Sequence, residues 1–280
     1  MIIDFHAHTF PDALAPRAIH KLAGSEGLSP FSSGTDAGLI DSMMRAGIDY
    51  SVTLPIATKS SQTDGINKRA IMMNEKADKT HIFSFGTVHP DNENYREILD
   101  NLVAGKVRGI KLHPVFQLTN IDDDRYLRII DYANEKGLII SLHAGRDITY
   151  YDATFGAPER IRNVVKAIHP ERMILAHMGS WGLWDEAEIL YEYDELYFDT
   201  SFVLARDNSP FFFKTAVNGL HSAELVGKIK QIGSKRILYG SDSPWTDQSR
   251  SIEDILRLDI SQNEKEDILG GNAACLLGLT

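Results

Sequence analysis

Met1-Ile2-Ile3-Asp4-Phe5-His6-Ala7-His8 opens the chain. Ile2, Ile3 and Phe5 are β-branched or aromatic residues that favour a pleated, buried strand. Alternate side chains of a strand share one face, so His6 and His8 point the same way. Two imidazoles spaced like this on a rigid strand can each give one nitrogen to a metal ion. A short His-x-His also arises by accident, and a buried, hydrogen-bonded histidine is its plain alternative. The pair becomes a signal because later apolar runs also end in His or Asp.

Working outward, eight short apolar runs read as strands: Ile2–His8, Tyr50–Pro55, Ile82–His89, Val107–His113, Leu138–Ala144, Met173–His177, Leu196–Ser201 and Arg236–Asp242. Continuous β-branched runs suit parallel strands covered on both faces. Between them the apolar spacing becomes helical. Leu39, Ile40, Met43 and Met44 form a stripe opened by Thr35-Asp36 and closed by Gly47. Ala70, Met73 and Ala77 form another. Asp122-Asp123-Asp124 precedes Tyr126, Ile129, Ile130 and Ala133, with acidic groups at the positive end of a helix. Pro158 suits a first helical turn before Ile161, Val164, Val165 and Ile168. Ser261 and Glu264 have capping-box spacing before Ile268 and Leu269. Eight β–α repeats predict an α/β fold, a (β/α)8 TIM barrel, which usually takes ~250 residues. No strand leads into a G-x-G-x-x-G turn, which disfavours an open doubly wound sheet. Without a linker or low-complexity tract, residues 1–280 read as a single domain.

The chain of 280 residues is 43% hydrophobic and 24% charged, with a formal net charge of −10. No Lys/Arg run offers a face for nucleic acid. An anionic substrate would need local arginines, because the acidic surface does not attract it. The single cysteine, Cys275, excludes an internal disulfide and suggests a reducing, cytoplasmic setting. In Ala-Ala-Cys-Leu-Leu it reads as a small buried apolar residue. No signal peptide precedes the first strand and no apolar run approaches the ~20 residues of a membrane helix. The expected partner is a small-molecule substrate, and a homodimer is compatible with the composition.

The polar residues cluster at strand ends. Lys111 and His113 end the fourth run, His143 the fifth, His177 the sixth and Asp242 the eighth. In a barrel all C-terminal strand ends meet at one mouth, where barrel enzymes keep their active sites. A purely structural role is hard to assign to His6, His8, His143 and Asp242, and easier for His177. His113 precedes Pro114 and equally suits a cap, and His89 is ambiguous. His20, His81, His169 and His221 fall on helical or loop stretches and read as surface residues. Arg146 and Asp147 follow His143, Trp181 and Trp184 follow His177, Arg206 follows the seventh run, and Trp245 follows Asp242. An arginine flanked by aromatics would hold a planar acid, whereas each tryptophan alone equally suits loop packing or a subunit interface. Asp199 and Asp4 suit either support of a ligand or core hydrogen bonding.

Taken in order, Asp4-Phe5-His6-Ala7-His8, Gly109-Ile110-Lys111-Leu112-His113-Pro114, Leu142-His143-Ala144-Gly145, Leu175-Ala176-His177-Met178-Gly179 and Gly240-Ser241-Asp242-Ser243-Pro244 resemble the amidohydrolase superfamily. They are most similar to the amidohydrolase-related branch that includes aminocarboxymuconate-semialdehyde decarboxylase. Ile268-Leu269-Gly270-Gly271-Asn272-Ala273-Ala274 is similar to that branch's final helix. The resemblance implies a distorted barrel and one divalent metal ion, zinc ahead of manganese, iron or nickel. By the same resemblance His6, His8, His143 and Asp242 are the ligands, and His177 orients or deprotonates a water. His177 and Asp242 then count as catalytic.

Three neutral imidazoles and a carboxylate would leave such an ion positive, with a position open to water or substrate. In two-metal relatives a carboxylated lysine bridges both ions, and Lys111 stands near that position with His143 and His177 as further ligands. Its Gly-Ile-Lys-Leu-His-Pro context resembles the one-metal branch more, so Lys111 is taken as a cationic substrate contact with Arg146, Trp181 and Trp245. The resemblance implies hydrolysis of a small organic acid, lactone or amide, or decarboxylation or hydration of an unsaturated carboxylic acid at the same site. A TatD-type DNase would usually carry a glutamate where Lys111 stands, and an inactive barrel would be expected to have lost a ligand.

Overall fold

The computed structural model describes residues 1–26, 29–204 and 219–279. Its strands are β1 (Ile3–Ala7), β2 (Tyr50–Thr53), β3 (Ile82–Ser84), β4 (Gly86–Thr87), β5 (Gly109–Leu112), β6 (Ile139–Leu142), β7 (Met173–Leu175), β8 (Leu196–Asp199) and β9 (Ile237–Leu238). Each predicted run contains a strand, and the third holds two. Helices lie between the strands, as expected for α/β folding. The chain divides into two units, Met1–Thr53 with Asp199–Thr280, and Leu54–Phe198.

In the Leu54–Phe198 unit, β4 to β8 pair in sequence order, each parallel to the next. Ile110, Ile140, Ile174 and Phe198 are fully or almost fully buried, as parallel strands covered on both faces require. The register sets Lys111 opposite Ser141, which brings His113 and His143 to neighbouring strand ends. The break between β3 and β4 has a visible cause in helix Thr63–Asn74. Asn67 accepts from the Thr87 amide and donates to its carbonyl, and Asn74 donates to the carbonyl of Ser84. These helix amides take over backbone partners that a neighbouring strand would otherwise supply. Helix Asp124–Glu135 starts on the Asp123 cap, and helix Pro158–Ile168 has its proline in the first turn, both as predicted.

The ends of β4 and β5 are tied by one amide. Gln117 accepts from the His113 backbone N–H at 3.1 Å and donates to the carbonyls of Ala57 and Val88 at 3.0 and 2.9 Å. The buried Tyr126 hydroxyl donates to its oxygen at 2.5 Å.

In the other unit, β1 pairs with β2 in parallel. Helix Asp36–Ala46 is capped by Thr35, whose side chain accepts from Gly38, and ends at Gly47 with φ 68°. Ser261 and Glu264 form the expected capping box. Beyond β9 the chain runs beside β1: Phe5 donates to the Tyr239 carbonyl, Asp242 to His6, and His8 to Ser243. Gly240 permits this approach, since a Cβ there would lie 2.8 Å from His6 Cβ and 3.2 Å from Ser201 Cβ. Cys275 is exposed, contrary to expectation. The terminal helix Asn272–Leu277 buries Ala273, Ala274 and Leu277 on one face and leaves Cys275 outside it.

Replacing Gln117 with leucine should strand two carbonyls, an amide and a phenol in the interior. At about 1–3 kcal/mol for a buried polar group left without a partner, the variant is expected to lose roughly 3 kcal/mol or more in urea unfolding. Tyr126→Phe, which removes one bond only, should lose about 1 kcal/mol.

Candidate active site

β1 presents His6 and His8 from one face, and the turn after β9 presents Asp242. The three meet: His6 Nε2 lies 3.2 Å from His8 Nε2, His8 Nε2 is 3.1 Å from Asp242 Oδ1, and His6 Nε2 is 3.6 Å from that oxygen. Ligands bound at 2.0–2.1 Å in a tetrahedron stand about 3.4 Å from one another, so the spacing fits one cation. The imidazole planes are 71° apart, so the two Nε2 atoms can aim at one point. His6 is buried, while His8 and Asp242 keep 14% of their side chains accessible, so the trio can be reached.

The protonation of His6 follows from its other nitrogen. Nδ1 lies 2.8 Å from Asp199 Oδ2 and 2.9 Å from the Ser201 hydroxyl. That hydroxyl donates to Asp199 Oδ1 at 2.5 Å. An ionised carboxylate only accepts, so Nδ1 carries the proton and Nε2 is a lone pair. This carboxylate–histidine pairing is the usual support of a metal-binding imidazole. Asp199 ends β8 and Ser201 lies in the turn beyond it, where its amide also donates to Asp199 Oδ1 at 3.0 Å.

Asp4, fully buried beside His6, accepts from the amides of His6 and Ser241, the Ser241 hydroxyl and Gln248 Nε2. Burial pushes its carboxyl up to about 6, against the opposing pull of the Ser241, Gln248 and His6 donors.

The Leu54–Phe198 unit assembles a second group of His113, His143 and Asp147. Here the imidazoles are stacked at 3.9 Å with planes 13° apart, and Phe116 stacks on the far side of His113 at 4.2 Å. Parallel rings cannot aim two lone pairs at one point. The hydrogen bonds agree. His113 Nδ1 accepts from the Phe116 amide, so its proton sits on Nε2, 3.7 Å from Asp147 Oδ2. His143 Nε2 donates to the Arg146 carbonyl at 2.9 Å and lies 3.8 Å from the same Asp147 oxygen. In this group both Nε2 atoms therefore carry protons, whereas in the first His6 turns a lone pair toward the common centre.

His143 Nδ1 is left as an acceptor, and His177 Nε2 lies 3.1 Å from it, so His177 donates there. His177 and Met178 hold left-handed backbone, φ 59° and 54°, and Asp242 does the same at φ 63°. Non-glycine residues adopt this region uncommonly and often at functional sites, and here it turns two candidate residues out of strand geometry.

Other candidates have definite places. Lys111 on β5 is buried, 1% exposed. Half-buried Arg146 donates to the Tyr151 hydroxyl at 2.8 Å and lies over that ring. Trp181 is buried, with its backbone bonded to Ala144 and Arg146; Trp184 donates to the His177 carbonyl at 2.9 Å. Half-buried Trp245 donates its amide to the Asp242 carbonyl. His89 is buried, and this lowers its pKa despite nearby Asp91. Arg206 lies outside the described residues.

The amidohydrolase family model matches residues 3–279, and the chain belongs to that family. No curated protein matches the chain. Among solved structures, an uncharacterized TIM-barrel protein from Bordetella bronchiseptica matches with TM-score 0.75 and 17% identity, covering 99% of this chain and 98% of the other. A 5-carboxyvanillate decarboxylase from Novosphingobium aromaticivorans, complexed with manganese and 4-hydroxy-3-methoxy-5-nitrobenzoic acid, matches with TM-score 0.71 and 12% identity over 99% and 96%. A putative 2-pyrone-4,6-dicarboxylic acid hydrolase from Pseudomonas putida matches with TM-score 0.68 and 18% identity over 99% and 97%. These likenesses give the chain the TIM-barrel fold.

If Asp199 sets the His6 tautomer, Asp199→Ala should weaken divalent-cation affinity by about 10- to 100-fold in a chelator competition titration. Asp199→Asn, which keeps an acceptor oxygen, should weaken it less. Unchanged affinity in both would separate Asp199 from the trio.

Proposed function

We propose that the chain is a metal-dependent enzyme that hydrolyses a small organic acid, lactone or amide. The observation that carries this is the convergence of His6 Nε2, His8 Nε2 and Asp242 Oδ1 at 3.1–3.6 Å, an arrangement of potential ligand atoms that suits a cation. Two imidazoles and a carboxylate suit zinc first. Manganese, which the decarboxylase relative holds, is the next choice, followed by iron or nickel. His143 is proposed as the fourth ligand on the order of the motifs. Ligation would require it to leave either the Arg146 carbonyl or His177. When bound, the cation would supply a Lewis acid that polarises a carbonyl and brings the pKa of a water toward ~7.

The chain's own groups supply the rest. His177 carries a proton at Nε2 and faces an acceptor at His143 Nδ1, so it can pass or receive a proton without moving far. Its left-handed backbone and the Trp184 bond to its carbonyl hold it in that pose. Arg146, Lys111, Trp181 and Trp245 are proposed as substrate contacts. Arg146 is braced by Tyr151, which suits a guanidinium that receives a carboxylate. Lys111 is proposed as a charge on the wall rather than as a carboxylated bridge between two ions. A single cysteine supports work in the cytoplasm, and the family match over 3–279 supports one working domain.

Decarboxylation is the second reading, favoured by the likeness to 5-carboxyvanillate decarboxylase. The two are separated by offering the purified, zinc- or manganese-loaded protein lactones, amides and aromatic or unsaturated carboxylic acids. Acid release without CO2 selects hydrolysis, and CO2 release selects decarboxylation. Chelation should abolish turnover and cation return should restore it. His177→Asn should lower kcat by about 10²–10⁴-fold, the usual worth of a positioned acid–base group, with cation content unchanged. A protein that binds no divalent cation would overturn both readings.

A further inference from the structure

We infer that Asp4 is a positioning residue for the cation-binding trio: its buried carboxylate joins the strand that carries His6 and His8 to the turn that carries Asp242. The inference rests on reading those three residues as cation ligands.

Backbone bonds from Asp242 to His6 and from His8 to Ser243 tie that turn to β1, and a buried side chain adds to them. β9 ends at Leu238, and Asp242 follows with φ 63°. A strained non-glycine residue persists only where its surroundings over-determine it. The surroundings here converge on Asp4. One carboxylate oxygen accepts from the His6 amide at 3.1 Å and the Ser241 amide at 2.9 Å. The other accepts from the Ser241 hydroxyl at 2.5 Å and from Gln248 Nε2 at 2.6 Å. The Ser241 hydroxyl passes the constraint on, accepting from the Ser243 amide at 2.9 Å. Gln248 anchors the far end of the turn, and its carbonyl receives the Tyr239 hydroxyl. Asp4 thus bonds directly to the backbone of His6 and to that of Ser241, the neighbour of Asp242. Moving either side by a few tenths of an ångström would alter the spacing of the three ligand atoms.

A core aspartate with no part in the site would support stability alone. Cobalt(II) serves as the probe, because its visible spectrum reports the arrangement of its ligands. Wild-type protein, Asp4→Ala, Asp4→Asn and Gln248→Ala would be compared for cobalt dissociation constant, cobalt spectrum and metal-free Tm. Asp4→Ala is expected to bind cobalt about 10- to 100-fold more weakly, with a changed spectrum. Asp4→Asn should recover much of the affinity. It keeps an oxygen for the two backbone amides, and the Gln248 amide can turn its buried oxygen, which lacks a hydrogen-bond partner, toward the new N–H. Gln248→Ala should weaken binding by about 10-fold, at the low end of the range for supporting groups. If Asp4→Ala fails to fold, Asp4→Asn and Gln248→Ala decide the matter. Folded variants with lowered metal-free Tm but wild-type affinity and spectrum would overturn the inference. Absence of cobalt binding by the wild-type protein would instead overturn the cation-site reading beneath it.

Discussion

A neutral imidazole has two nitrogens and one proton, and the candidate site depends on which nitrogen holds it. Asp199 takes the Nδ1 proton of His6 and thereby frees Nε2 as a lone pair directed at His8 and Asp242. With the proton on the other nitrogen, His6 would present a donor to the trio and repel a cation. The Ser201 hydroxyl occupies the second carboxylate oxygen and leaves Asp199 little freedom to turn. Both residues are buried, so the contact is not weakened by water. A single hydrogen bond between two chain segments far apart in sequence thus decides what the opening strand can do.

The same rule gives opposite outcomes in the two histidine groups. In the Leu54–Phe198 unit backbone groups, not carboxylates, select the tautomers. The Phe116 amide holds His113 Nδ1 unprotonated, and the Arg146 carbonyl takes the proton of His143 Nε2. Both Nε2 atoms then carry protons, 3.7 and 3.8 Å from Asp147 Oδ2. Two histidines and an aspartate within ligand distance are thus a poor cation site there, because neither Nε2 offers a lone pair. Distance alone would rank the two groups together, whereas ring planes and protons separate them.

Much of the fold was legible because its signals are local. Thr35, Asp123, Pro158 and Ser261 open helices where capping chemistry puts them. The strands follow from apolar runs whose length matches parallel pairing. The division of the third run was not legible, because its cause is two asparagines of the preceding helix bonding to the strand backbone. Cys275 was misjudged for a related reason: Ala-Ala-Cys-Leu-Leu is apolar throughout, and only packing selects the buried face. Of the site, His6, His8 and Asp242 were legible as residue types at strand ends. His113 before Pro114 suits a cap as well as a function, and its place in a three-ring stack depends on register with the next strand.

What the sequence conceals is the layer behind the candidate ligands. Ser201, Ser241 and Gln248 are short-signal residues, common in any sequence, and each matters through partners far along the chain. Ser241 and Gln248 reach back to Asp4 across 237 and 244 positions, and Ser201 reaches His6 across 195. No periodicity or local motif encodes such a pairing. The residues of this layer are legible only as answers to a question the ligands pose: where does each proton and each strained backbone atom find its partner? Asked of His6, the question leads to Asp199 and Ser201; asked of the turn bearing Asp242, it leads to Asp4. A sequence motif can nominate ligands, but the groups that make them ligands follow from accounting for every buried donor and acceptor around them.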